Sequence, residues 1–139
     1  MLPAASLHST ARDLAVFYQM LLNGGIYGGR RYVQPETIAE ATALGNQEYD
    51  IGLGMHIRRA NGFHLGGRGV DWRKDDAISA MGKGSTVRTY GCFGMASCMV
   101  WGDPQAEVVL AFTCNGLRSS SNTRARWVAL SNAVWDALE

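Results

Sequence analysis

Along STARDLAVFYQMLLNGG, the apolar residues Leu14, Phe17, Tyr18, Leu21 and Leu22 recur at helical spacing and make one stripe. Thr10 and Asp13 stand at capping-box spacing, with Asp in place of the usual Glu or Gln. Asn23-Gly24-Gly25 supplies a stop, because glycine takes the left-handed conformation that closes a helix. The pattern predicts a helix over 10–23. IYGGRRYV reads as a short extended piece, and a short helix follows with Pro35 at its first position, where a missing N–H costs nothing.

YDIGLGMHIRR reads as a strand in which glycines mark a bulge or a close backbone approach. Residues 60–87 are the least regular part and read as a long loop with a short helical turn. Three strand candidates follow. Arg88–Gly94 and Ser97–Trp101 flank a bend at Met95-Ala96, and Asp103-Pro104 presets a turn. EVVLAFTCN is nearly continuous in apolar character, as a central strand buried on both faces would be. Near 122–138, Trp127, Leu130, Ser131, Val134, Trp135 and Leu138 form a second helical stripe. Adjacent strands joined by short turns pair antiparallel. The fold class is therefore α+β: an antiparallel sheet flanked by helices.

Composition narrows the function. A chain of 139 residues, 47% apolar and 18% charged, reads as one globular domain. A net charge of +1 leaves no electrostatic footprint for nucleic acid or an anionic membrane. The N-terminal MLPAASLHSTARD has neither a charged n-region nor a long apolar run, so it reads as neither a signal peptide nor a membrane span. Three cysteines, Cys92, Cys98 and Cys114, argue for reduced thiols in a cytoplasmic setting rather than a disulfide framework. No C-x-x-C occurs, and His8, His56 and His64 lack metal-pair spacing, so no metal is expected. GKGST at Gly82–Thr86 lacks the lysine-to-Ser/Thr adjacency of a phosphate loop, and GLGMHI breaks the glycine spacing of a dinucleotide site.

Two cysteines six residues apart in TYGCFGMASCMVWGDP pose the sharper question. A cysteine nucleophile needs a base within hydrogen-bond reach, and no histidine lies near Cys92 in sequence. Strand alternation leaves open whether Cys92 and Cys98 share a face, because the bend separates them. Cys98 and Cys114 read as small packing residues.

LHSTARDLAVFYQMLLNGG, IGLGMHI and YGCFGMASCMVWGDPQAEVVLAFTCNGL together resemble the C-terminal portion of β-lactamase-like serine hydrolases. That superfamily includes class C β-lactamases, penicillin-binding DD-peptidases and related carboxylesterases. The resemblance spans nearly the whole of 1–139 and implies a partial β-lactamase/transpeptidase-like fold without a cofactor. Its members attack ester, amide or β-lactam carbonyls with a serine and lysine from S-x-x-K, aided by Y-x-N or S-x-N and by K-T-G or H-x-G on a cleft strand. By resemblance, Cys92-Phe93-Gly94 occupies the third motif, and Phe93, Gly94 and Met95 line the oxyanion side, with Met95 offering the N–H. A donor of this kind is worth about 3 kcal/mol at the transition state. Cys92 departs from the motif by replacing a basic residue, and a neutral thiol donates weakly. Lys83-Gly84-Ser85 is a decoy, since the strand-turn phrase expected after the motif follows Cys92 instead.

No serine in the chain is followed three places later by lysine, and no tyrosine begins Y-x-N. Ser119 and Ser120-Ser121-Asn122 give no S-x-N reading with a lysine partner and fall in a loop before the last helix. The resemblance thus implies that the S-x-x-K segment precedes these residues. It also implies that the Glu107–Asn115 strand has an open edge, for a complementing N-terminal chain or for a second copy in a homo-oligomer. The competing readings are a non-catalytic binding or oligomerisation module and an autonomous cysteine hydrolase centred on Cys92.

Overall fold

Thr10 caps the first helix in the computed structural model, which describes residues 7–51, 55–67, 80–94, 98–116 and 119–139. Its hydroxyl accepts the Asp13 backbone N–H at 3.1 Å and donates to the Asp13 carboxylate at 2.8 Å. Asp13 thus holds the cap side chain, where a longer Glu would reach back to the cap's own amide. Helix α1 (Ala11–Leu22) ends at Asn23, and Gly24 and Gly25 follow with positive φ. Tyr18 and Leu21 are buried as the stripe predicts, but Phe17 is half exposed and Met20, off the stripe, is buried. Val33 and Ile38 pack against the cluster that holds Met20, so α1 is covered on more than its sheet side.

IYGGRRYV forms a hairpin, β1 (Ile26–Tyr27) with β2 (Arg30–Arg31), and not a single extended piece. Gly28 and Gly29 both have positive φ, which a two-residue hairpin turn of the primed type demands. Helix α2 (Pro35–Thr42) starts at Pro35 as expected. The strand expected in YDIGLGMHIRR is instead an antiparallel pair, β3 (Tyr49–Asp50) and β4 (Met55–His56), with Gly52–Gly54 outside the described residues. The 60–87 stretch, expected as a loop, contributes β5 (His64–Leu65).

The main sheet is antiparallel, in the order β5, β6 (Tyr90–Phe93), β7 (Cys98–Asp103), β8 (Val108–Thr113). Its two faces carry separate cores. On one, Tyr18 and Leu21 of α1 meet Leu65, Tyr90 and Val100, with Val109 and Ala111 packed alongside. On the other, Met99 and Trp101 meet Trp135 of α3 (Ser120–Asp136), with Val108, Leu110, Trp127 and Val134 packed alongside. Trp101 and Trp135 stack at 5.2 Å with planes 6° apart. The Trp101 indole donates to Ser131 Oγ at 3.0 Å, and the Trp135 indole donates to the Met81 carbonyl at 2.7 Å. Truncating such a buried tryptophan costs about 3–5 kcal/mol. Leu138, expected on the α3 stripe, lies past the helix and is exposed.

The Glu107–Asn115 run is not a central strand. β8 lies at the sheet's edge among the described residues, and its apolar side chains are half-buried. Its near-continuous apolar character reflects a helix over each face, Val109 and Ala111 toward α1 and Val108 and Leu110 toward α3. Hydrophobic pattern reports which faces are covered and carries no information about lateral neighbours. The turn into β8 is held by Asp103, whose Oδ1 accepts the Gln105 and Ala106 amides at 2.8 and 3.0 Å. Glu107 takes φ 54° there. No helix among the described residues is long and apolar enough to cross a membrane.

Candidate functional site

Strand β6 carries Cys92 and Phe93, and Gly94 follows it; Met95, expected to offer the oxyanion N–H, lies outside the described residues. Alternation along β6 sends Tyr90 and Cys92 toward α1, and Gly91 and Phe93 toward α3. Gly91 is required by the sheet itself: a Cβ there would lie 2.4 Å from the Val100 carbonyl oxygen.

On the α1 side, Tyr18 and Tyr90 stack at 5.9 Å, with Phe63 edge-on to Tyr90 at 5.3 Å. Burial pushes the Tyr90 hydroxyl up to about 12, with Asp103 adding to the effect. Burial raises Tyr18 further still, and the neighbouring Cys92 and Tyr90 add to that. Cys92 is exposed overall, yet desolvation at its sulfur pushes the thiol above the ordinary cysteine value; a contact with the Phe93 carbonyl opposes this, and Cys98 reinforces it. Such a thiol stays protonated at neutral pH, the reverse of an activated nucleophile.

On the α3 side, Phe93 stacks on Trp127 at 5.2 Å, and the His64 ring stands edge-on to Phe93 at 5.0 Å. His64 pairs in register with Gly91, so it shares the Phe93 face and sits across the sheet from the Cys92 thiol. His64 is pushed below 6.5, first by burial and then by Arg59, against a smaller opposing pull from Asp50. Arg59 and Asp50 form an ion pair at 2.6 Å. His64 therefore supplies no base to Cys92. Its nearness to Phe93 was not legible from residue spacing, since the two lie 29 positions apart.

The backbone of β6 is the more informative feature. The Gly94 amide donates to the Cys98 carbonyl at 2.9 Å, closing the β6–β7 turn. N–H groups alternate in direction along an antiparallel strand, so the Phe93 amide turns away from β7, to the β5 side. There β5 pairs only with Tyr90 and Gly91, and no described strand reaches Phe93. Among the described residues, the end of β6 thus presents an open edge with an outward amide. Gly94's own N–H, placed by resemblance on the oxyanion side, is engaged with Cys98 and is unavailable to a substrate.

Lys83, Cys114 and Asp103 make structural contacts. Lys83 pairs with Asp136, and its backbone N–H donates to Asn132 at 2.8 Å, which ties it to the C-terminal part of α3. Arg126 donates to the Cys114 sulfur at 3.1 Å. Ser120–Asn122 lie in the first turn of α3 and not in a loop. Asp103 Oδ2 accepts the Thr89 hydroxyl at 2.5 Å and the Thr86 hydroxyl at 2.8 Å. Burial alone would raise that carboxyl, but the hydrogen bonds from Thr89, Ala106 and Thr86 outweigh it and leave it below the ordinary value. Among the described residues, no three of His, Cys, Asp and Glu gather as metal ligands.

The fold of this chain is shared with solved β-lactamase-like structures. A beta-lactamase from Mycobacterium bovis superposes with a TM-score of 0.67 at 27% identity, over 94% of this chain and 44% of that one. A penicillin-binding protein homologue from Caulobacter crescentus has the same fold, with a TM-score of 0.65 at 24% identity over 88% of this chain and 30% of that one. The Esterase/beta-lactamase LipL of Mycobacterium tuberculosis is 29% identical over 118 residues, 85% of this chain and 24% of its own length. The beta-lactamase family pattern matches residues 1–133, and the chain belongs to that family. It spans about a quarter of the length of its mycobacterial esterase/β-lactamase relative.

Proposed function

We propose that these residues form one wall of an acyl-transfer site in a serine hydrolase acting on ester, amide or β-lactam carbonyls. The attacking serine and its lysine base come from polypeptide outside the 139 residues. The end of β6, open among the described residues and with the Phe93 amide turned outward, is the observation that carries this reading. An extended substrate lies along that edge as an added strand and takes its main-chain hydrogen bonds from it. The backbone N–H of Met95 polarises the carbonyl, and Cys92 stands where relatives of this kind place a basic residue. The sequence adds support, since no serine precedes a lysine by three positions. So does a relative named as both esterase and β-lactamase.

The edge of β8, unpaired among the described residues, takes the complementing segment as an added strand, or a second copy of the chain in its absence. In the test, nitrocefin and p-nitrophenyl esters are incubated with the chain, with and without an S-x-x-K-bearing N-terminal segment from the mycobacterial relative. Turnover should appear only with both present. Turnover by the chain without that segment, or none from the pair once complex formation is shown, would sink the reading.

A further inference from the structure

Cys92 and Cys98 occupy one face of the sheet, a relation the sequence leaves open. Cys92 pairs in register with Val100, and Cys98 lies two residues from Val100 on the same strand, so both thiols fall on the Val100 face. Gly94 brings them nearer. The position its Cβ would occupy lies 2.1 Å from Cys98 Sγ and 3.7 Å from Cys98 Cβ, so the sulfur leans across the β6–β7 gap into the space the glycine leaves. That space is two residues from Cys92 on the same face of the same strand. Cys92 is exposed and Cys98 half-buried, which leaves the pair reachable from solvent.

We propose that Cys92 and Cys98 form a chelating dithiol that clasps a single thiophilic centre of the trivalent-arsenic class. The diagonal relation decides between a clasp and a disulfide. Diagonal neighbours across antiparallel strands have Cα atoms about 7–8 Å apart. A disulfide tolerates at most about 7 Å without backbone movement. Two sulfur–arsenic bonds span a wider gap than one sulfur–sulfur bond, and soft sulfur ligands suit a soft centre. With phenylarsine oxide, two S–H bonds and the arsenic–oxygen bond break. Two S–As bonds form, the oxygen leaves as water with both thiol protons, and arsenic stays trivalent. The proposal rests on sulfur geometry alone and is independent of the acyl chemistry.

The reduced chain is treated with equimolar phenylarsine oxide in excess 2-mercaptoethanol and weighed by intact-mass spectrometry. One phenylarsenic adduct per chain is expected, released by dithiothreitol, with Cys92 and Cys98 protected from iodoacetamide in peptide maps. Cys92→Ser and Cys98→Ser should each lose the adduct, and Cys114→Ser should keep it. No adduct on the unaltered chain, an adduct kept by either Cys92→Ser or Cys98→Ser, or mapped protection that excludes Cys92 or Cys98 would overturn the proposal. The peptide map uses the unaltered protein and so decides the matter even where a variant fails to fold.

Discussion

Gly94 donates its amide hydrogen to the Cys98 carbonyl at 2.9 Å, and its bare Cα makes room for the Cys98 sulfur. The end of the proposed cleft wall is thus set by one glycine and one cysteine. Gly94→Ala should destabilise the chain by about 1–3 kcal/mol, the usual cost of overpacking. Cys98→Ala removes the atom in the way, so the double variant should recover most of that loss. Chemical denaturation of all four proteins measures the coupling. Additive losses would show that the glycine and the sulfur do not share that space.

Asp103 gathers two threonine hydroxyls and three backbone amides onto one carboxylate. Replacing it with Asn should cost about 2 kcal/mol, the value of hydrogen bonds to a charged group. The folded carboxyl lies below its ordinary 3.8, so the unfolded chain binds this proton first as pH falls. The contribution is whole above pH 3.8 and is lost as pH drops through the lower folded value. Thermal melts across that window should fall more steeply for the unaltered chain than for Asp103→Asn.

His64 has a separate and higher window. Its folded pKa lies below 6.5, chiefly through burial, so below pH 6.5 the unfolded state holds more protons than the folded one. Stability from this residue is complete above pH 6.5 and declines beneath it. His64→Gln should flatten the first acid-side loss, and imidazole NMR signals should titrate below pH 6.5. A His64 titrating above 6.5 would contradict the packing against Phe93.

Local rules predicted the helices well, because caps and stops are written in adjacent residues. Thr10 and Asp13, Pro35, and Asn23-Gly24-Gly25 all act within one or two turns. The β-structure was less legible where strands are only two residues long. His64–Leu65 has no period to detect, and Ile26–Tyr27 and Arg30–Arg31 show themselves only through the two glycines between them. For β8, the apolar run pointed to a central strand buried on both faces; the helices over the two faces account for the burial, and the strand lies at the sheet's edge among the described residues.

The candidate site was legible in part, from the Cys92-Phe93-Gly94 phrase. Its neighbours were not. Tyr18 reaches the Cys92 side from a helix more than 70 positions earlier, and Trp127 reaches Phe93 from one more than 30 positions later. Nothing in the spacing of these residues encodes such contacts, because the packing of helices on sheet faces sets them.

The account depends on the chain holding a polarising wall and no attacking group of its own. The direct measurement is intact-mass spectrometry of the purified chain after exposure to a penicillin or a fluorophosphonate, with peptide mapping of any adduct. The account predicts no stoichiometric acylation or phosphonylation. Rapid one-to-one labelling of any residue within 1–139 would contradict it.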